Sequence, residues 1–187
     1  MIYVPAYWPL FKTHELRRFD YTGDAPFTSV FSYDVGTDSM LYNNYSGDGV
    51  WLNKWYYQYR TGFGIAEWRD DYPSGKKVVM NPPIGWGEFQ DVGSDYINKP
   101  MFDPFRSWPP ATGSGTQIVH FESHLAEYNG YRDVIVFTYL QKWGNAPATG
   151  ARYWMALGIG PIATQFLNAD GSPSTGIFTA KVTRVNA

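Results

Sequence analysis

His120-Phe-Glu-Ser-His124 sets two imidazoles and one carboxylate at alternate positions, so that on a β-strand all three side chains point to one side. Neutral imidazole with carboxylate suits zinc, copper or non-haem iron. Two strand steps, however, hold His120 and His124 roughly 13 Å apart at about 3.3 Å per residue, too far for both to reach one ion on a straight strand. No cofactor is therefore expected, and a metal held by Glu122 and one histidine is the lesser alternative. The second chemistry is proton abstraction beside a carbonyl, as in β-elimination of a polysaccharide. There His120 would take the proton and Tyr139, expected opposite it, would protonate the leaving oxygen. Arg132, Lys142 or Arg152 would neutralise a uronate.

These roles depend on one hairpin. Asn129-Gly130 is a strong two-residue turn signal, and pairing Tyr128 with Tyr131 places His120 opposite Tyr139, Glu122 opposite Phe137 and His124 opposite Ile135. One face then collects Val119, Phe121, Leu125, Val134, Val136 and Leu140, and reads as core. The other mixes Ile118, His120, Glu122 and His124 with Ile135, Phe137, Tyr139 and Gln141, the composition of a half-buried ligand cleft.

Eight tryptophans and fifteen tyrosines in 187 residues supply more amphipathic rings than one core needs, which points to a surface that binds sugars, apolar ligands or proteins. In Val50 to Arg60 the residues Trp51, Trp55, Tyr57 and Tyr59 share one face, a core stripe. Tyr56, Gln58 and Arg60 share the other, where they form a stacking and hydrogen-bonding set for a ligand.

Turn residues recur every ten residues or so, and no long stretch keeps apolar residues at helical spacing. The chain therefore reads as all-β: a single antiparallel curved sheet, sandwich or half-barrel over residues 1–187. The clearest strands are Val50 to Arg60, Phe63 to Arg69, Thr116 to Tyr128, Tyr131 to Trp143, Arg152 to Phe166 and Gly176 to Val185. Asp48-Gly49 and Asp170-Gly171 add turns. Pro82 to Ser114 holds six prolines and reads as a long connection between two halves, because proline cannot donate to a central ladder. Asp20 to Asp24 and Asp34 to Asp38 have the oxygen content of calcium loops without the spacing, and read as turns.

A formal charge of −2, with Arg17-Arg18 and Lys76-Lys77 as the basic doublets, is not the footprint of a nucleic-acid binder. No window approaches the roughly 18–20 apolar residues of a membrane helix. The start, Met1-Ile-Tyr-Val-Pro-Ala, lacks the regions of a signal peptide, so an exported chain would have lost one. The absence of cysteine fits cytoplasm and many bacterial exported proteins equally. No phosphate cradle, nucleophile elbow or cysteine nucleophile is present.

Glu127-Tyr-Asn-Gly-Tyr-Arg-Asp-Val-Ile-Val-Phe followed by Tyr153-Trp-Met-Ala-Leu-Gly-Ile-Gly-Pro-Ile resembles the C-terminal half of a loose group of bacterial exported and lipoprotein-like β domains of mostly unknown function. The likeness covers about residues 116–167. It implies a curved antiparallel sheet in a secreted, periplasmic or cell-surface protein, and implies no catalytic residue. His14-Glu-Leu-Arg-Arg18, Gln117-Ile-Val-His120 and Tyr139-Leu-Gln-Lys142 are similar to the motifs of jelly-roll alginate lyases. Each departs from the pattern, and the extra residue between Gln117 and His120 puts those two on opposite strand faces.

Two functions follow. The first is an exported β domain that binds a polysaccharide or oligosaccharide, or another extended ligand, on an aromatic-lined concave face, with Tyr56, Gln58, Arg60, His124, Phe137 and Gln141 as contacts. The second is a polysaccharide-active enzyme, a lyase using His120, Tyr139 and Glu122 or a metal-dependent one.

Overall fold

The computed structural model describes residues 1–36, 38–60, 64–69, 89–93, 95–101, 115–143 and 147–186. At 58–60, 64–69, 89–90, 95–101, 115–117, 141, 143 and 186 it describes the backbone alone. The strands are β1 (Ile2–Tyr3), β2 (Glu15–Thr22), β3 (Phe27–Asp34), β4 (Ser39–Ser46), β5 (Trp51–Arg60), β6 (Gly64–Arg69), β7 (Phe89–Gln90), β8 (Asp95–Met101), β9 (Gly115–Tyr128), β10 (Tyr131–Trp143), β11 (Thr149–Ala156), β12 (Gly160–Leu167) and β13 (Phe178–Asn186). One 3-10 turn covers Val4–Tyr7. Among the described residues eleven strands form a single curved antiparallel sheet, a half-barrel, in the order β6-β5-β4-β3-β2-β13-β12-β11-β10-β9-β8; β1 pairs separately with β7. Two meanders, β2 to β6 and β8 to β13, are therefore joined where β13 pairs with β2.

The curl brings together strands that are not neighbours in the sheet. Phe19, Phe31 and Tyr57 from one meander share a buried core with Val119, Phe121, Ile135, Phe137 and Met155 from the other. The N-terminal segment lies inside the same core, contributing Ile2, Val4, Tyr7, Trp8 and Phe11. Gly160, at φ +118, leaves room for Pro9 and the Phe19 ring to close on its backbone, where a Cβ would sit 3.2–3.3 Å from both. On the outer face Val134, Val136, Trp154, Ala156, Ile162 and Ala163 form a second cluster, closed by Tyr128 stacked on Trp154 at 5.6 Å.

The hairpin turn is as read: Asn129 (φ 50) and Gly130 (φ 79) link Tyr128 to Tyr131, and His124 lies opposite Ile135. Beyond that the expected register is corrected. A bulge at Glu122 shifts the ladder by one residue, so Phe137 faces Phe121, Thr138 faces His120 and Tyr139 faces Val119. The shift lets Phe121 and Phe137 share the inner core while Val134 and Val136 pack outside. A straight ladder could not have buried both sets.

Arg152 to Phe166 is not one strand; the turn at 157–159 divides it into β11 and β12, with Gly158 at φ 67. The expected turn Asp20 to Asp24 belongs largely to β2, where Asp20 accepts hydrogen bonds from Arg18 and Thr28. Within the proline-rich connection, β8 pairs with β9 at one end of the sheet, and its ladder steps over Lys99 and Pro100. Proline is tolerated there because an edge strand need not donate on both sides. The rest of Pro82 to Ser114 lies outside the described residues, apart from 89–93.

Candidate functional site

Cross-strand pairing puts Phe137, Tyr139, Tyr153 and Met155 of β10 and β11 on the inner face, opposite Phe31, Tyr42 and Tyr57 of β3 to β5. Between these two walls, with Trp8 of the N-terminal segment and Pro161 alongside, runs a cleft holding about 410 Å³ of atom-free space, its solvent-filled mouth included. Its closed part is small, with space for waters and not for a larger molecule, so any larger ligand would lie across the mouth. Among the described residues nine line the cleft; seven of these are aromatic and none of the nine is charged. Rings within the walls support one another: Phe31 stacks on Tyr42 at 4.4 Å, Trp8 lies 4.6 Å from Tyr57, and Phe137 lies 5.5 Å from Tyr153.

From Tyr42 a polar chain continues along the same face. Ser29 is fully buried, its Oγ 3.1 Å from the Tyr42 hydroxyl and 2.7 Å from Asn44 Oδ1. Asn44 Nδ2 donates to Asn53 Oδ1 at 2.6 Å, and the Trp55 indole N–H donates to the same oxygen at 3.1 Å.

The opposite end of the half-barrel is strapped by the N-terminal segment. Tyr7 Oη donates to Asp133 Oδ1 at 2.6 Å, and His124 Nε2 lies 2.5 Å from that oxygen. Lys12 Nζ and Tyr33 Oη both donate to Asp38 Oδ1, at 2.7 and 2.5 Å. Asp38 and Asp133 occupy left-handed backbone (φ 47 and 55), a costly conformation for aspartate unless surrounding contacts enforce it. Burial and the Asp133 carboxylate push the Tyr7 phenol upward, while hydrogen bonds from Tyr7 and His124 hold the Asp133 carboxyl below its usual range.

A depressed aspartate stabilises the fold above its unfolded pKa, near 3.9, and that contribution is lost as pH falls through the lower folded value. Asp133→Asn should accordingly be less stable than the parent at pH 7, and the gap should close below about pH 4. Urea unfolding across that range checks it; a gap unchanged by acid would show that the carboxylate's charge is irrelevant.

The predicted residues divide between the two faces. Phe137 and Tyr139 line the cleft, and His124 shares their inner face at the strapped end. His120 is on the outer face opposite Thr138, so it cannot act with Tyr139 on one substrate. Glu122, in the bulge, has its two carboxylate oxygens share the single Arg152 Nε–H, at 2.9 and 3.0 Å, on that outer side. Arg152 continues to Gln165, whose amide donates to the Thr175 carbonyl, a network that ties β9 to β12. Tyr56 is buried on the outer face beneath Lys54 Nζ, 5.0 Å from the ring centre, and does not face the cleft. The side chains of Gln58, Arg60 and Gln141 lie outside the described residues. Among the described residues no cluster of three or more His, Asp or Glu is placed to hold a metal.

Tyr42, Tyr153, Ser29, Asn44 and Asn53 were not legible as site residues. The available signal was the alternation Met40, Tyr42, Asn44 in β4, where an inward asparagine marks an interior that is wet in part. Comparison with protein-family models, with curated proteins and with solved structures finds no match to this chain.

Proposed function

We propose that this chain is a carbohydrate-binding β domain whose ligand lies across the mouth of the aromatic cleft on the concave face. The observation that carries the reading is the ring-lined cleft between β3–β5 and β10–β11, with an amide and hydroxyl chain running on from Tyr42. Flat rings cover the apolar face of a sugar, and fixed amides meet its hydroxyls. A binding role also needs no paired acid and base, and His120 and Tyr139 lie on opposite faces. The likeness of residues 116–167 to exported bacterial domains supports a periplasmic, secreted or cell-surface setting.

Titration calorimetry against a panel of oligosaccharides tests it. Tyr153→Ala should weaken binding about tenfold or more, as expected for a central ring contact, with no product released from any polysaccharide. Affinity unchanged by Tyr153→Ala, or contact confined to the outer face, would overturn the reading.

A further inference from the structure

Arg17 and Arg184 stand directly opposite each other where β2 pairs with β13, and opposed residues of an antiparallel ladder share a face. That face is the inner one, because Phe19 and Tyr21 follow Arg17 at alternate positions into the core. Like charges so placed repel. Glu15 answers both: its Oε1 lies 2.7 Å from Arg17 Nε and 3.8 Å from Arg184 Nε, and among the described residues no other carboxylate reaches either guanidinium. Two cations therefore share one anion.

Their donors are unequally committed. A guanidinium carries five N–H groups. Arg17 Nε donates to Glu15, and Nη1 donates to the carbonyls of Gly158 and Ile159 at 2.7 and 3.2 Å, which leaves both protons of Nη2 without an acceptor among the described residues. The contact from Arg184 Nε to Glu15 is too long for a hydrogen bond, so none of the Arg184 donors is used among those residues. The Arg17 side chain is 10% exposed and its guanidinium lies 4.4 Å from the centre of the Phe11 ring, so its spare donors are held in place. Donors already fixed lose little further freedom when a ligand arrives. Arg184 is half exposed and leaves the site reachable from solvent.

Shape selects the ligand. A carboxylate has two oxygens, and one arginine fork satisfies both. A phosphate or sulfate group has at least one oxygen more, enough to accept from Arg17 Nη2 and the Arg184 fork together, and its charge relieves the repulsion across the ladder.

We infer that Arg17 and Arg184 form a phosphate- or sulfate-binding site on the inner face at the strapped end of the half-barrel. The site is separate from the aromatic cleft and does not rest on the carbohydrate reading.

The test is calorimetric titration of the full chain at low ionic strength with inorganic phosphate, inorganic sulfate and acetate, and with glycerol phosphate to tell the free ion from an ester. Phosphate and sulfate should bind saturably and at least about tenfold more tightly than acetate. Arg184→Gln should weaken phosphate about tenfold or more, yet leave the melting temperature in phosphate-free buffer equal or higher, because it also removes the like-charge pair. An arginine with a structural role alone would lower it. Glu15→Gln, which removes the competing carboxylate, should tighten phosphate about threefold or more. Tyr153→Ala should leave phosphate affinity unchanged, which keeps this result apart from that of the carbohydrate reading. Tighter binding of glycerol phosphate than of phosphate assigns the site to a phosphorylated ligand, and the reverse order to the free ion.

The site falls if neither phosphate nor sulfate binds saturably, if Arg184→Gln leaves phosphate affinity within about twofold of the parent, or if that variant melts lower without phosphate. General stabilisation by excluded sulfate or phosphate is told from binding because it rises without saturating and is the same in Arg184→Gln.

Discussion

Gly150→Ala is expected to cost the domain at least about 3 kcal/mol, the range of a forced shift in packed backbone. Gly150 lies opposite Leu140 in the β10–β11 ladder. A Cβ there would stand 1.8 Å from the Tyr139 carbonyl oxygen, 2.8 Å from its carbon and 2.9 Å from Leu140 Cα. These are main-chain atoms of a strand paired on both sides, so no side chain can swing aside. Either β10 separates from β11 or both twist, and Tyr139 and Tyr153 move with them out of the cleft walls. Denaturant unfolding reads the loss, and ligand titration should read a parallel fall in affinity. Gly176→Ala is the control, since its Cβ would come no nearer than 3.7 Å to an aspartate oxygen. A loss below about 1 kcal/mol for Gly150→Ala would show that the ladder yields locally and that the cleft is not rigidly held.

Phe121→Ala should cost about 3–5 kcal/mol, a large part of a domain's stability. The ring is fully buried, 5.6 Å from Phe137, at the step where the Glu122 bulge resets the register. Its removal leaves a cavity beneath a cleft-lining residue, and the bulge loses the contact that favours Phe121 over Glu122 as the inward side chain. The unfolding midpoint should fall. A change below about 1 kcal/mol would mean that the inner face tolerates an empty site there.

Turn chemistry and alternation, both local, are what the sequence alone determined: an all-β chain, the Asn129-Gly130 hairpin, the strands around it and a ring-lined concave surface. Asn-Gly adopts left-handed backbone at little cost wherever it occurs, and strict alternation near Val119 and Phe121 reports burial without help from distant residues. Three things were decided only by tertiary structure. The bulge at Glu122 exchanged the partners of His120 and Tyr139, because burying Phe121 with Phe137 and pairing Glu122 with Arg152 outweighs one ladder step, and neither contact is visible in a strand read alone. Strands β2 to β4 escaped notice because their inward positions include Arg17, Ser29 and Asn44. These polar side chains are tolerated inside only through partners far along the chain, such as the Gly158 carbonyl 141 residues away from Arg17. The N-terminal segment offered no periodicity at all, yet it fills one end of the half-barrel through Tyr7, Trp8 and Phe11 and is strapped by Asp133 and Asp38. Local preference sets which segments extend and where they turn. Which face becomes interior, and which residues meet across it, depends on closing the curl, a condition that the whole sheet satisfies at once and no single strand encodes.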